Sequence, residues 1–319
     1  MNCAMLISVT LRHMLSKHRG EFLLVLGAFF FSFSGIIVTV VMKHLPALRL
    51  AEVRSVSAVV ILGTYVLLTR PEIIKVKKAE IPRLALYGVV GFAFVNFGYL
   101  LGIQRGVPLG LVLIIEFTAS IWIALWIKLV RKGFVSNQMW LAVALSFTGL
   151  VLVAKVWEGF KFDLIGITAA TLCAFCLAAY FLMSERIGKS REPIATLIFG
   201  MGFASAFWLI VLPPWTFPFE VFTVQMDLGG IAKGTMLPGW LLIGAAAIFG
   251  TVVPYMLVLS GMKLLTASTS SVIGMLEPVI AGAFAWIWFA QSWDGIQLMG
   301  AATVLVGIYL ADRAKTVAS

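Results

Sequence analysis

The amino-acid sequence predicts an all-α membrane protein whose ten transmembrane helices form two five-helix repeats of inverted orientation. Three observations lead to this prediction: an apolar composition, ten separate apolar runs, and similar residues that recur in both halves of the chain. Of the 319 residues, 61% are hydrophobic and only 12% are charged, whereas soluble domains carry about 25% charged residues. A soluble fold could not bury so much apolar surface, so the lipid bilayer is the expected environment of this chain.

Ten apolar runs, each bounded by charged or turn-forming residues, are the predicted membrane-spanning helices. Crossing the hydrocarbon core takes about 20 apolar residues, and each run approaches that length. The first five runs are Phe22–Val41, Ala51–Leu68, Leu84–Ile103, Pro108–Ile127 and Met139–Val156. The second five runs are Leu164–Met183, Pro193–Leu212, Pro238–Leu259, Ser268–Ala290 and Ile296–Ala311. We number them predicted helices 1 to 10.

The helix positions divide the chain into two repeats with a linker and two terminal segments. The predicted order is a cytoplasmic N-terminal segment 1–21, a first repeat 22–156, a linker 157–163, a second repeat 164–311 and a cytoplasmic C-terminal tail 312–319. Near the N-terminus the basic residues follow the apolar stretch, which is the reverse of the order in a cleaved signal peptide. Met1 and Met14 are both candidate start residues.

Similar residues recur in the two sets of five helices at nearly constant spacing. The correspondences are Ala28-Phe29 with Ala174-Phe175 at 146 residues, Gly91 and Gly102 with Gly250 and Gly261 at 159, and Glu116 with Glu277 at 161. Because five is an odd number, the second repeat must enter the membrane from the side opposite to the first. Inverted repeats recur in secondary transporters, where the substrate site lies near the midplane between them.

The distribution of Lys and Arg predicts how the helices are oriented. If the N-terminus is cytoplasmic, 17 of the 24 basic residues fall in inner segments and 6 in outer loops, and the last, Arg54, lies inside predicted helix 2. Cytoplasmic loops carry an excess of Lys and Arg, so we expect both termini in the cytoplasm and the protein in the cytoplasmic membrane. This distribution accounts for the net charge of +10 without a nucleic-acid partner.

Two glutamates lie near the middle of their predicted helices, Glu116 in helix 4 and Glu277 in helix 9, at equivalent positions of the repeats. A carboxylate at the bilayer centre costs at least about 2.5 kcal/mol, so each is expected to face the bundle interior or a water-filled cavity. Substrate or proton binding is the functional interpretation. The structural alternative is that each carboxyl group accepts hydrogen bonds that hold helices together, or is protonated.

Five further side chains are candidates for a substrate site. Two serines lie one or two helical turns from a glutamate on its own face, an asparagine and a tyrosine occupy matching positions of predicted helices 3 and 8, and a tryptophan lies deep in predicted helix 4. They are, in that order, Ser120 and Ser270, Asn96 and Tyr255, and Trp122. Each alone is as readily a helix-packing residue, so the candidate substrate site is the set that they form with Glu116 and Glu277.

Two residues in the predicted helices call for a specific structural explanation. Pro278 lacks a backbone donor and is expected to break helix 9 beside Glu277, whereas Glu116 lies in an apparently uninterrupted run. Arg54 is expected close to the outer end of predicted helix 2. Extension of its side chain towards the headgroups is the preferred interpretation, and a gating ion pair with Glu52 is the alternative.

No group of residues in the sequence predicts catalysis, a cofactor or a metal site. Cys173 and Cys176 are spaced as in redox and zinc motifs, but no second Cys or His pair accompanies them, so we interpret them as small helix-packing residues. The sequence holds neither a nucleophile with its base nor a phosphate-binding glycine loop. We therefore expect neither an enzyme nor direct use of ATP.

The sequence resembles a known family at three places. These are Val107-Pro108-Leu109-Gly110, Glu116-Phe117-Thr118 with the basic loop after it, and Leu276-Glu277-Pro278. They resemble the EamA branch of the drug/metabolite transporter superfamily, and most of all its RhtA-type threonine/homoserine exporters, over residues 22–311. The resemblance implies ten helices in two inverted repeats, cytoplasmic termini and a central cavity lined largely by helices 3, 4, 8 and 9. Glu116 and Glu277 match two glutamates of the family's motifs.

These observations together predict a secondary transporter that exports small amino acids or related metabolites by alternating access around a midplane cavity. Its expected partners are a small-molecule substrate, possible coupled protons and the lipid bilayer. A passive uniporter or channel has the same sequence features and stays an alternative. A membrane-embedded lipid-modifying enzyme is a weaker alternative, because it would need the catalytic residues that the sequence lacks.

Overall fold

The computed structural model describes residues 18–155, 157, 163–290 and 293–317, and within these ranges ten helices are long and apolar enough to span a membrane. We number them α1 Arg19–Val41, α2 Ala47–Thr69, α3 Lys78–Gln104, α4 Gly110–Leu129, α5 Asn137–Ala154, α6 Leu164–Gly188, α7 Pro193–Val211, α8 Gly239–Met262, α9 Ala267–Phe289 and α10 Gly295–Ala314. Met1, Met14 and most of the predicted linker 157–163 lie outside the described residues.

The predicted number and order of helices are confirmed, and the differences lie at the helix ends. Helix α2 begins at Ala47 instead of Ala51, and α3 begins at Lys78 instead of Leu84. The prediction ended each apolar run at the nearest charged residue. Charged side chains are compatible with the terminal turns of a membrane helix, where they reach the headgroups and water, so the helices continue past them.

Four of the helices are locally irregular, and the irregularities come in matched pairs. Helix α3 contains a π-helical segment at Val89–Phe94, and α8 contains one at Ile248–Val252. Their first residues are 159 apart, which is the repeat spacing found in the sequence. Helices α4 and α9 are each interrupted by a turn, at Thr118 and Met275 respectively. Short π-helical segments occur frequently at functional sites.

The expectation of an uninterrupted helix around Glu116 is wrong. At the turn in α4, the backbone N–H of Thr118 donates to the carbonyl oxygens of both Ile114 and Ile115, at 3.2 and 3.1 Å. The Thr118 hydroxyl donates to the Ile115 carbonyl as well, at 2.6 Å. A hydroxyl that bonds back to its own helix backbone favours a bend. The expected break in α9 occurs three residues before Pro278.

Equivalent helices of the two halves make equivalent contacts. A Cβ atom added to Gly102 in α3 would lie 3.4 Å from the carbonyl oxygen of Gly166 in α6, and one added to Gly261 in α8 would lie 2.8 Å from that of Gly20 in α1. Gly102 and Gly261 are 159 residues apart, and Gly20 and Gly166 are 146 apart. These are the two spacings found in the sequence. The chain therefore consists of two repeats in which the first helix of each packs on the third helix of the other.

Helices α5 and α10 cross with their backbones in contact. A Cβ atom added to Gly149 would lie 2.6 Å from the Gly300 carbonyl oxygen, and one added to Gly307 would lie 2.8 Å from that of Ala142. At a spacing of 158 residues, Gly149 in α5 corresponds to Gly307 in α10, and Ala142 corresponds to Gly300. Each position therefore makes the same contact in both helices, and the contact is reciprocal. Residue numbers rise along α5 as they fall along α10. The two helices are therefore antiparallel, as repeats of inverted orientation require.

The long connection between α7 and α8 is a folded unit. It contains 3₁₀ turns and a two-stranded antiparallel hairpin of β1 Gln225–Asp227 and β2 Met236–Pro238. Met226 is fully buried and joins an apolar cluster that includes Leu45 and Leu50. The Asp227 carboxylate accepts hydrogen bonds from the backbone N–H groups of Gly229 and Gly234, each at 2.9 Å, and these lower its pKa.

Candidate functional site

A cavity of about 180 Å³ lies at the interface of the two repeats. Residues of α1, α2, α3, α4, α6, α8 and α9 line it. The four helices implied by the family resemblance, α3, α4, α8 and α9, are all included, and α1 and α6 contribute as well. Their contribution follows from the fold, because α1 packs against α8 and α6 packs against α3.

Glu116 and Glu277 both line this cavity. The side chain of Glu116, which lies just before the turn in α4, is 9% exposed, and Glu277 lies just after the turn in α9 and is half-buried. None of the ion pairs among the described residues includes either carboxylate. Both groups can therefore accept protons or bind a cationic group of a ligand without first breaking an ion pair with those residues.

Three of the other predicted site residues, Asn96, Tyr255 and Ser270, also line the cavity. Asn96 and Tyr255 follow the π-helical segments of α3 and α8, and their side chains lie close to each other. The Asn96 amide also donates to the carbonyl oxygen of Phe92, at 2.7 Å. The Ser270 hydroxyl is buried and has no hydrogen-bond partner within the described ranges. The cavity thus offers an amide, a phenol and a hydroxyl beside the two carboxylates.

The remaining two predicted site residues, Ser120 and Trp122, do not line the cavity. Ser120 is 1% exposed, and its hydroxyl has no partner in the part of the chain that the structure describes. Trp122 is 38% exposed, and its ring lies 4.6 Å from that of Phe175. Both residues follow the turn at Thr118. Their side chains therefore do not point in the direction that they would have in a continuous helix through Glu116.

Arg54 lines the cavity, and the expectation that it extends to the headgroups is wrong. Its Nε–H donates to the Thr251 hydroxyl at 2.9 Å, and an Nη2–H donates to the Gly250 carbonyl oxygen. Glu52, the proposed partner, pairs with Arg49 instead, at 2.6 Å. The sequence prediction began this helix at Ala51 and so placed Arg54 near its end. The observed start at Ala47 places Arg54 seven residues, or about 10 Å, inside the helix.

Aromatic side chains form much of the remaining cavity wall. They are Phe31, Tyr99, Phe117, Tyr180, Phe181 and Tyr255. The ring of Tyr255 lies 4.9 Å from that of Phe31 and 6.2 Å from that of Tyr180, so part of the wall is a contiguous aromatic cluster. Aromatic faces accept both apolar groups and cations. The cavity therefore combines charged groups with an apolar surface in a small volume.

A cluster of polar side chains lies outside the cavity. His18, Glu21 and Asp312 have potential metal-ligand atoms within 4.8 Å of one another, at the ends of α1 and α10. Asp312 lies 291 residues or more from His18 and Glu21 in the sequence, so no sequence spacing could have revealed the cluster. His18 is exposed, Glu21 and Asp312 are half-buried, and none of the three lines the cavity.

Ten apolar helices within the described ranges, seven of which line a cavity that holds charged and polar groups, define a multi-pass membrane protein. The sequence profile of the EamA-like transporter family matches residues 18–155 and 164–311, one match for each repeat, and the chain belongs to this family. It is accordingly a transporter and not an enzyme.

Relatives of known name and a solved structure agree with this placement. The chain is 28% identical to the threonine/homoserine exporter RhtA of Escherichia coli K12 over 250 residues, which cover 76% of each chain. It is 24% identical to the uncharacterized transporter YdfC of Bacillus subtilis over 229 residues, covering 72% of this chain and 70% of YdfC. A crystal structure that is 16% identical superposes with a TM-score of 0.73 over 95% of this chain and 99% of its own, and so has the same fold.

Proposed function

We propose that this protein is a secondary transporter that exports small amino acids or related metabolites across the cytoplasmic membrane, with both termini in the cytoplasm. The observation that carries the proposal is the cavity between the repeats, in which Glu116 and Glu277 face a small space without ion-pair partners among the described residues. The similarity to threonine/homoserine exporters supports an amino-acid substrate.

Alternating access around this cavity is the proposed mechanism. The contact between antiparallel α5 and α10 supports repeats of inverted orientation, which can exchange conformations to open the cavity to one side and then the other. The four irregular helices, α3, α4, α8 and α9, all line the cavity. Helix bends are concentrated at such irregularities, so we propose that these helices bend there during transport.

The predicted site residues that line the cavity have proposed roles that follow from their chemistry. Glu116 binds the substrate ammonium group or exchanges a proton, because it is the more deeply buried carboxylate. Glu277 mainly stabilises the interrupted helix α9. Asn96 and Tyr255 donate hydrogen bonds to polar substrate atoms, and Ser270 adds a hydroxyl. The aromatic wall contacts the substrate side chain.

Transport in proteoliposomes tests the proposal. We would reconstitute the full chain and measure uptake of a panel of labelled amino acids, each with and without an imposed pH gradient. We expect uptake of at least one small amino acid, and stimulation by the gradient would identify protons as the coupling ion. Liposomes without protein serve as the control for leakage and surface binding.

Counterflow separates a carrier from the passive alternatives. Unlabelled amino acid on the far side of the membrane should accelerate uptake of label, because a carrier returns faster when loaded. Flux that is insensitive to the far-side amino acid would indicate a channel. Transport of another metabolite class, with no amino acid carried, would remove the amino-acid assignment and leave the family assignment unchanged.

A further inference from the structure

Arg54 is a cation inside the membrane-spanning region, and it is held by the irregular part of a neighbouring helix. Both of its hydrogen bonds go to the π-helical segment of α8, to the Thr251 hydroxyl and the Gly250 carbonyl. A π-helical segment displaces backbone hydrogen bonds from their usual partners, which allows a carbonyl to accept from a side chain. These two contacts fix the guanidinium group beside the cavity.

Most of the hydrogen-bonding capacity of Arg54 remains available. A guanidinium group has five N–H donors in a planar fork, and the structure gives bonds to described residues from Nε and Nη2 only. Nη1, which has no such bond, is not among the buried side-chain atoms that lack a partner, so it is accessible. The Arg54 side chain lines the cavity. The unused edge of the guanidinium group is therefore accessible from the cavity.

No carboxylate among the described residues neutralises Arg54 at ion-pair distance. Glu277 is the acidic group close enough to interact with it electrostatically, but the two do not form an ion pair. Arg49, the other arginine of α2, has such a partner, because it pairs with Glu52. A charge inside the membrane is costly and marks a binding site or an ion pathway by default.

We propose that Arg54 binds the carboxylate group of the transported molecule. Planar carboxylates match the guanidinium fork and accept two parallel hydrogen bonds from it. The same cavity holds Glu116 and Glu277, which suit an ammonium group. A cavity lined by both a cation and carboxylates recognises a zwitterion, so the substrate class is the free α-amino acid and excludes its amide and ester. This inference extends the proposed function and rests on it for the ammonium contact only.

Ligand pairs that differ in the carboxylate test the proposal. We would measure binding to the purified full-length protein from the shift of its melting temperature, with L-threonine and L-threoninamide, and with 3-hydroxybutyrate and its amide, which lack the α-ammonium group. The wild type should bind each carboxylate at least about tenfold more tightly than its amide, because hydrogen bonds between charged groups contribute at least that much to binding. In Arg54→Gln the ratio should fall to about one, and Arg54→Lys should retain part of it.

Arg105→Gln is the matched control, because Arg105 is exposed, pairs with Asp163 at 3.1 Å and lies outside the cavity. It should keep the wild-type ratio. A purely structural role of Arg54 would weaken the binding of acid and amide equally and leave the ratio unchanged, which would overturn the proposal. Equal binding of acids and amides by the wild type, or binding of neither, would overturn it as well.

The two proposals can fail separately. If proteoliposomes carry 3-hydroxybutyrate in an Arg54-dependent way but carry no amino acid, the carboxylate site stands and the amino-acid assignment is wrong. If an amino acid and its amide are carried equally well by both wild type and Arg54→Gln, the transporter assignment stands and Arg54 has no role in recognition.

Discussion

The hydroxyl of Ser32 in α1 donates a hydrogen bond to the backbone carbonyl oxygen of Glu277 in α9, at 2.9 Å. The bond joins the two repeats directly beside the turn at Met275. It fixes the backbone of one cavity carboxylate to a helix of the other repeat. Glu116 and Glu277, which occupy equivalent positions in the sequence, therefore differ in their structural attachment.

We expect Glu116 and Glu277 to differ in function for this reason. Glu116→Gln should abolish transport while the protein still folds and inserts, because it removes the buried carboxylate that we assign to substrate or proton binding. Glu277→Gln should keep part of the transport activity and lower the melting temperature in detergent, because its main role is in the interrupted helix. Uptake in proteoliposomes and thermal unfolding of both variants provide the measurement.

Two results would contradict this assignment. Transport at the wild-type rate by Glu116→Gln would show that its carboxylate is not needed. Full stability of Glu277→Gln together with complete loss of transport would show that the two roles are exchanged.

Removal of the Ser32 hydroxyl should weaken the attachment of α9. We expect Ser32→Ala to lower the free energy of unfolding by about 0.6 kcal/mol, the average for a hydrogen bond between membrane helices. Thr39→Ala is the control on the same helix, because the Thr39 hydroxyl is exposed and bonds only to Gly35 of its own helix. Unfolding in denaturant measures both, and an equal loss in the two variants would show that the contact to Glu277 contributes nothing.

Close packing of α3 on α6 predicts a strong effect at Gly98. A Cβ atom there would lie 2.4 Å from the carbonyl oxygen of Ala169 and 2.8 Å from Cβ of Cys173. Gly98→Ala should therefore destabilise the protein by roughly 1 to 3 kcal/mol. A Cβ added at Gly202 meets no atom within 4 Å, so Gly202→Ala should leave the melting temperature unchanged or raise it slightly, because alanine favours a helix more than glycine does. Similar melting temperatures for the two variants would disprove the packing argument.

The hairpin segment between α7 and α8 should separate from α9 when Gly230 gains a side chain. A Cβ atom on Gly230 would lie 2.2 Å from the carbonyl oxygen of Trp288, whereas one on Gly234 would meet nothing within 4 Å. Both glycines have positive φ angles, of 55° and 89°, so both alanine variants strain the backbone. Lys233 is the single trypsin site in residues 213–238.

Cleavage at Lys233 therefore reports whether the segment is docked. Trypsin should cut Gly230→Ala markedly faster than Gly234→Ala, because only the first variant loses the contact with Trp288. Equal cleavage rates would indicate that backbone strain, and not the contact, controls the docking of the segment.

Labelling of single cysteines tests the orientation in the membrane. Glu72 and Lys233 are both exposed, in the α2–α3 and α7–α8 connections. In a background where Cys3 is replaced by serine, an impermeant thiol reagent should label Lys233→Cys in intact cells and Glu72→Cys only after permeabilisation. Cys173 and Cys176 are buried and should stay unlabelled. Labelling of Glu72→Cys in intact cells would reverse the predicted topology.

The sequence was sufficient to predict the helices and the duplication because both can be recognised from short stretches of residues. Each span is a run of apolar residues, and lipid imposes that composition whatever the neighbouring helices are. The spacing of Gly102 and Gly261 was detectable for a related reason. Glycine is required where two backbones touch, so both repeats keep it at the same place.

The parts that escaped prediction depend on contacts between distant segments or on a local turn that the residue types do not specify. The position of the Arg54 side chain follows from its bonds to Gly250 and Thr251, nearly 200 residues away in the chain. The turn at Thr118, which directs Ser120 and Trp122 away from the cavity, involves a residue type that occurs in both straight and bent helices. Without the structure, a helical wheel places Ser120 on the face of Glu116, and it does not show the turn between the two residues.

The reciprocal contact of Gly149 with Gly300 and of Ala142 with Gly307 has a consequence for the history of the chain. The contact surface of α5 is equivalent to that of α10, so it is self-complementary. Two copies of a single five-helix protein, inserted in opposite directions, could therefore associate through this one surface. Fusion of the two copies removes the requirement that they stay identical. The outer scaffold has kept the ancestral symmetry, while the interior has diverged, as where Asn96 in one half faces Tyr255 in the other. A molecule that enters the cavity therefore meets a different set of groups from each half, and a directional preference between the two sides of the membrane can evolve without any change in the scaffold.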